Sequence, residues 1–175
     1  PQKLRRKTKK SRCRQHKKVL GSSIEERPTE VNTREKFGHW ETDLVIGSKS
    51  GEDNVLLTLL ERKTRQLKAI RLPDKSAESV IAAFQSIRNS LGDHFSDIFK
   101  TITTDNGSEF AKLSELEQDS RTKIYFAHPY SSWEKGSIEN HNGLIRRFLR
   151  KGRRIDSYSA DDILAVELWA NALPR

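Results

Sequence analysis

One cysteine, no methionine and five prolines are all that the 175-residue chain contains of those three residue types. Cys13 has no second thiol to pair with, so a disulfide framework and a cysteine-built zinc site are both excluded. No stretch approaches the roughly 18 apolar residues that span a bilayer, and the basic N-terminus lacks the apolar run of a secretory signal. A soluble intracellular protein with no membrane association is expected. Without a methionine even at position 1, the chain reads as a piece excised from a longer protein.

Acid is also missing where base is concentrated. Residues 1–18 hold ten of the 33 Lys and Arg and no Asp or Glu, which leaves 23 basic against 24 acidic residues in the remainder. The net charge of +9 is therefore carried by an arm. Blocks of one sign do not fold alone, and basic arms commonly engage nucleic-acid phosphates. Residues 1–36 are read as this arm and a polar connector containing Pro28, and residues 37–175 as one folded domain, a normal size for a single core.

From Phe37 onward, short apolar runs alternate with turn signals. "HWETDLVIG", "NVLLTLLERKT" and "RQLKAIRL" read as three antiparallel strands joined by hairpin-sized turns. "SAESVIAAFQSIRNSLG" brings Val80, Phe84, Ile87 and Leu91 to helical spacing and stops on Gly92. "DIFKTITTD" is a fourth strand, "SEFAKLSELEQ" a short helix with Phe110, Leu113 and Leu116 on one side, and "KIYFAH" a fifth strand. "PYSSWEKGS" reads as a loop, "IENHNGLIRRFLRKG" as a helix ending at Gly152, and "SADDILAVELWANAL" as a last helix capped by Ser157 or Ser159. The expected order βββαβαβαα describes an α/β domain with a mixed five-stranded sheet flanked by helices.

Polar residues gather at the carboxyl ends of such strands. Asp43 lies in the first strand and Asp105 ends the fourth, so neighbouring strands would bring the two carboxylates together. A carboxylate in an apolar strand needs a compensating cation, and several converging acids are the usual cradle for paired Mg²⁺ ions. Hard oxygen donors suit Mg²⁺ or Mn²⁺, while one cysteine and scattered histidines argue against zinc. Glu109, Glu134 and Glu139 are the candidates for a third acid. Glu139 is preferred because helical spacing would put Arg146 and Arg150 on its face. Glu109 also complements the dipole of the element it starts, and Glu134 has no basic companion.

Taken alone, "DNG" after a strand is more often a turn than a ligand, with Gly107 free to adopt a positive φ. Glu41, two residues before Asp43, shares its strand face and reads as an outer acid or, better, as the partner of a Lys or Arg. His39, His128 and His141 read as packing or DNA-contact residues, with His128 and Pro129 shaping a loop. Tyr130 and Trp133, in a loop rich in serine and glycine, are candidates for base stacking, with simple packing of Trp133 as the equal alternative. Arg146, Arg147, Arg150, Lys151, Arg153 and Arg154 form a second basic cluster suited to DNA contact.

Sixty-one residues separate Asp43 from Asp105, and 33 separate Asp105 from Glu139. "WETD", "TTDNGSEFA" and "YFAHPYSSWEKGSIENHNGLIRRFLRKG" together resemble the catalytic core of bacterial insertion-sequence transposases of the DDE class, in particular the IS-thirty family. The resemblance runs from about Phe37 to the C-terminus. It implies an RNase H-like, retroviral-integrase-like fold in which Asp43, Asp105 and Glu139 are the catalytic acids and bind two Mg²⁺ ions, with Mn²⁺ able to substitute. It also implies metal-dependent phosphodiester cleavage and strand transfer at element ends, by a bacterial cytoplasmic protein working at the nucleoid.

The family's loop reads closer to "WERGSNEN", so Lys135 and Ile138 depart from it at positions expected to touch DNA rather than metal. Arg146, Arg147, Arg150, Lys151, Lys135 and Trp133 are the expected DNA-binding residues. An upstream helix-turn-helix region and a homodimer or larger assembly on DNA are further implications. A non-catalytic DNA-binding or assembly fragment, or a plain RNase H-like or junction-cutting nuclease, are the alternatives.

Overall fold

The computed structural model describes residues 20–48, 52–129 and 131–174. The basic arm and Tyr130 lie outside the described residues, and so do the expectations attached to them.

The chain enters through a two-residue strand, β1 (Ser22–Ser23), and a short helix, α1 (Glu30–Thr33), before the meander of β2 (His39–Ile46), β3 (Val55–Glu61) and β4 (Leu67–Leu72). A long helix, α2 (Ala77–Leu91), and a single turn, α3 (Phe95–Ile98), lead to β5 (Thr101–Thr104). Two 3-10 turns (Ser108–Phe110 and Leu113–Glu117) connect it to β6 (Lys123–Phe126), and α4 (Gly136–Ile145) and α5 (Ala160–Ala172) complete the chain.

The sheet order is β1-β6-β5-β2-β3-β4. The meander pairs antiparallel, while β2 with β5, β5 with β6 and β1 with β6 pair parallel. The sheet is thus mixed, as expected, but has six strands rather than five. The sixth comes from the supposed connector, where Ser22 and Ser23 pair with Tyr125 and Phe126. Further along this segment Val31 is fully buried, and Arg27 donates to Thr103 Oγ1 at 3.0 Å and to Asn32 Oδ1 at 2.7 Å. Residues 20–36 are therefore packed onto the domain rather than tethering it.

β3 is buried along its whole length because both faces of the sheet are covered, as in other layered α/β units. Its alternation sends Val55, Leu57 and Leu59 to the core under α2, and Leu56 and Leu60 to the core under α4 and α5. Ser76 caps α2 by accepting from Ser79 N at 3.1 Å, and Gly92 ends it at φ 53°. Ser159, not Ser157, caps α5 in a reciprocal pair with Asp162. Asn171 on α5 accepts from Leu67 N at 2.8 Å and donates to Leu67 O at 2.9 Å, which covers the edge strand β4 against further pairing.

Three elements differ from expectation. β5 is four residues long, because Phe95–Ile98 coils into a helical turn and Phe99 N returns to Phe95 O at 2.7 Å. The short helix expected after β5 is of 3-10 type and split into two turns, and Phe110, Leu113 and Leu116 are all buried as expected. A spacing of three is the period of a 3-10 helix and sets those side chains in one row. α4 stops at Ile145, seven residues short of Gly152, so its helical face does not extend to Arg150.

Candidate active site

β2 and β5 are parallel neighbours with His39 opposite Thr101, Trp40 opposite Ile102 and Glu41 opposite Thr103. Asp43 is four residues beyond His39, and Asp105 is four beyond Thr101. Continuing the register therefore sets the two carboxylates side by side, on strands about 4.8 Å apart. Trp40 and Ile102 belong to the core under α2, so the alternate residues, Glu41, Asp43, Thr103 and Asp105, face α4.

The turn after Asp105 serves its presentation. Gly107 N donates to Asp105 Oδ1 at 3.0 Å, closing an Asx turn on the carboxylate itself. Gly107 does not adopt the expected positive φ; it sits at −80°. A Cβ there would lie 2.7 Å from the Glu109 carboxyl group and 2.9 Å from Asp105 Oδ1, so a larger residue would displace the ends of those two acids.

Glu139 stands in the first turn of α4, and this helix is tied to the strands by side chains on both partners. Glu41, with no exposed surface, accepts from Ile138 N at 2.8 Å through Oε2 and pairs through Oε1 with the buried Arg62 guanidinium. Asn142, one turn beyond Glu139, donates to Asp43 Oδ2 at 2.8 Å. The sequence hinted at neither tether fully: an acid–base partner for Glu41 was expected, but not the helix terminus, and Asn142 was missed. Its signal was available in the three-residue spacing from Glu139, which sets both on one helix face.

A cavity of about 260 Å³ is lined by Asp43, Asp105 and Glu139 together with Asn106, His128 and Lys135. Burial pushes the Asp43 carboxyl up, the neighbouring Asp105 adds to this, and Lys135 and the Asn142 amide pull it back down. Lys135 Nζ lies 3.6 Å from Asp43 Oδ1 and 3.8 Å from Asp105 Oδ2, and donates to Thr42 O at 3.2 Å. Expected at the DNA-facing surface, it is instead packed inward beside the two acids.

The chemistry of the donors fits a hard divalent cation. Carboxylate oxygens converge from two strands, and burial raises the cost of leaving Asp43 charged without a positive neighbour. Among the described residues, no three His, Cys, Asp or Glu side chains stand close enough to hold an ion together. Glu139 lines the cavity without closing on the pair.

The remaining candidates divide by position. Glu134 is taken up by the loop, accepting from His128 N at 2.8 Å and pairing with His128 Nδ1 at 2.8 Å, which raises the His128 pKa. Glu109 crowds Gly107 and does not line the cavity. Arg146 turns inward to Ile46 O at 2.6 Å, where burial lowers its pKa against the pull of Asp43. Arg147, Arg150 and Lys151 are exposed, Arg153 lies over the Tyr158 ring and Arg154 pairs with Asp156. Trp133 is 73% exposed at the mouth of a neighbouring groove lined also by Arg27, Arg34 and Arg62. His39 and His141 bond within the fold, to Thr101 Oγ1 and Ser137 O.

Comparison with known proteins finds a family, sequence relatives and structures of similar fold. The integrase core domain family matches residues 33–132. The chain is 46% identical over 136 residues to a probable transposase for an insertion-like sequence element of Streptococcus salivarius, covering 78% of this chain and 37% of that protein. It is 36% identical over 157 residues to the transposase InsI of insertion sequence element IS30A of Escherichia coli, covering 90% of this chain and 39% of that protein.

Among solved structures, the HTLV-2 integrase catalytic core domain in complex with magnesium superposes with a TM-score of 0.52 at 19% identity, over 75% of this chain and 82% of that one. A simian T-cell lymphotropic virus intasome chain gives 0.57 at 18%, over 75% of this chain and 46% of that one. The fold is thereby the RNase H-like fold of integrase catalytic cores. The chain spans well under half the length of the curated transposases named above.

Proposed function

The chain belongs to the integrase core domain family, and from that premise we propose that it is the catalytic core of a DDE-class insertion-sequence transposase, cutting phosphodiesters and joining DNA strands at element ends. The observation that carries this reading is the parallel register of β2 and β5, which aligns Asp43 with Asp105 on the face where Glu139 lines the same cavity.

Asp43, Asp105 and Glu139 would hold the divalent cations, two Mg²⁺ with Mn²⁺ as a substitute. When bound, these supply Lewis-acid stabilisation of the attacking and leaving oxygens of a phosphodiester. The chain's own residues do the positioning. Asn142 fixes one oxygen of Asp43, the Gly107 amide fixes one oxygen of Asp105, and Glu41 anchors the end of α4 that carries Glu139. Phosphoryl transfer depends on such alignment and on charge neutralisation rather than on a covalent protein intermediate.

DNA would run past the exposed cations Arg147, Arg150 and Lys151 and past Trp133, whose open ring can stack on a base. Arg146 acts from behind, bracing the end of β2. The basic arm of residues 1–18 adds phosphate contacts, and a homodimer or larger assembly holds two ends together. The cell compartment follows from the substrate: the bacterial cytoplasm, at the nucleoid. No helix among the described residues is long and apolar enough to cross a membrane.

A labelled duplex incubated with the 175-residue chain and Mg²⁺ or Mn²⁺ tests the reading, with cleaved and joined products resolved on one gel. Glu139→Gln should lower both by about 10²–10³-fold or more, the scale lost when a group stabilising transition-state charge is removed. Undiminished turnover in that variant would sink the assignment. Cleavage without joining would favour a plain nuclease, and binding without either a non-catalytic module.

A further inference from the structure

Lys135 is 4% exposed, an unusual state for a lysine unless it is paired. Its ammonium is within ion-pair distance of carboxylates from two adjacent strands, 3.6 Å from Asp43 and 3.8 Å from Asp105, and is steadied by the Thr42 carbonyl at 3.2 Å. The Thr42 carbonyl accepts its hydrogen bond, while the two carboxylates stand as ion-pair neighbours just beyond hydrogen-bonding distance, so the ammonium is held by charge more than by directed bonds. Lys135 also belongs to the 3-10 turn Ser132–Lys135 that leads into α4, so its side chain ties the start of the Glu139 helix to the acid pair.

We propose that Lys135 is an exchangeable counter-cation which couples metal loading of the site to DNA binding. The proposal rests on the reading of Asp43 and Asp105 as metal ligands. A divalent cation on that pair stands within a few ångströms of the ammonium and is repelled by it, so Lys135 opposes loading for as long as it remains between the acids. A DNA phosphate entering the cavity offers the ammonium a different anion. Lys135 can then turn from the carboxylates to the backbone, removing the repulsion and adding a phosphate contact. Loading of the ion and engagement of DNA thus favour each other, and by linkage the effect is reciprocal. The consequence is protective: the cutting centre is charged mainly when substrate is present.

Two binding measurements on the intact chain test this without reading activity. Electron paramagnetic resonance of free Mn²⁺, with no DNA, gives the intrinsic affinity. Lys135→Gln should bind Mn²⁺ at least about fivefold tighter than wild type, the lower end of typical coupling, while Lys135→Arg, which keeps the charge, should stay near wild type. Fluorescence anisotropy of a labelled duplex with and without Ca²⁺ gives the coupling. Ca²⁺ should tighten DNA binding to the wild-type chain by at least about fivefold, and by clearly less in Lys135→Gln.

Equal or weaker Mn²⁺ binding by Lys135→Gln, or wild-type DNA affinity indifferent to Ca²⁺, would overturn the proposal. The second arm needs only the wild-type protein and stands even if the variant misfolds. Asp105→Asn separates the two levels of inference. If the wild-type chain binds no Mn²⁺ that this substitution removes, the metal-site reading falls together with the proposal; if it does, and Lys135→Gln changes nothing, only the coupling falls.

Discussion

The face of the sheet beneath α2 is packed with Trp40, Phe84, Phe95, Phe99, Phe110 and Phe126, whereas the core beneath α4 and α5 has, among the described residues, Tyr158 as its one buried aromatic, with Trp169 packed partly buried against it. In place of aromatics the second side has charged side chains that are buried and paired: Glu41 with Arg62, Lys135 beside the partly exposed Asp43 and Asp105, and Glu167 with the exposed Lys68. On the first side the rings order one another, with Trp40 stacked on Phe99 at 4.7 Å and its Nε1 donating to Ile98 O at 2.8 Å. Apolar burial stabilises wherever it occurs, but a buried ion contributes only when its partner is held in place. One face therefore supplies stability, and the other spends some of it to fix the directions of the acids.

The sharpest way to break this contrast is to damage each face and compare stability with function. Phe84→Ala, on the dry side, should cost about 3–5 kcal/mol through lost burial and a cavity, read as a large fall in the denaturation midpoint. DNA cleavage per folded molecule should change little. Glu41→Gln, on the charged side, retains an acceptor for Ile138 N but leaves the buried Arg62 guanidinium without its counter-charge, at a cost of about 3–5 kcal/mol. Its larger signature should be local: faster hydrogen exchange across residues 136–145 and slower cleavage. Unchanged exchange in α4 would deny Glu41 a positioning role.

The smallest expected effect is a pH dependence in the loop that precedes α4. The hydrogen bond to Glu134, reinforced by its charge, raises the His128 pKa above the ordinary 6.5. The pair therefore contributes fully below the unfolded-state value and is lost as pH rises through the higher folded value. Histidine NMR should report a titration above 6.5 that falls back towards it in Glu134→Gln. Loop exchange should quicken at the alkaline end by a modest factor.

How much of this was legible in the sequence follows from the length of each signal. The placement of Asp43 and Asp105 on one face of the sheet could be read because each ends or interrupts a β-rich run, and strand alternation fixes which face a side chain takes. The place of Glu139 early in a helix was legible, but the arginine face that favoured it over Glu109 and Glu134 is not formed, because α4 ends at Ile145 and Arg146 turns inward. Ser22–Ser23 could not, since two residues carry no alternation, and Val31 is a lone apolar residue in a polar stretch. The segment after Asp105 was legible as a short helix but not as a 3-10 one, because short 3-10 and α segments share apolar positions. Nothing local marks Lys135 as buried. Its place depends on two strands and a turn that meet only in the folded chain, as does the bond from Asn142 to Asp43.

The most direct test of a face built for chemistry rather than stability is a paired measurement on Asp105→Asn. The amide retains the oxygen that can accept from Gly107 N and removes a like charge beside Asp43. The expected result is a thermal midpoint equal to wild type or higher, together with metal-dependent cleavage reduced by about 10²–10³-fold or more. A variant that unfolds, or one that still cleaves at the wild-type rate, would contradict it.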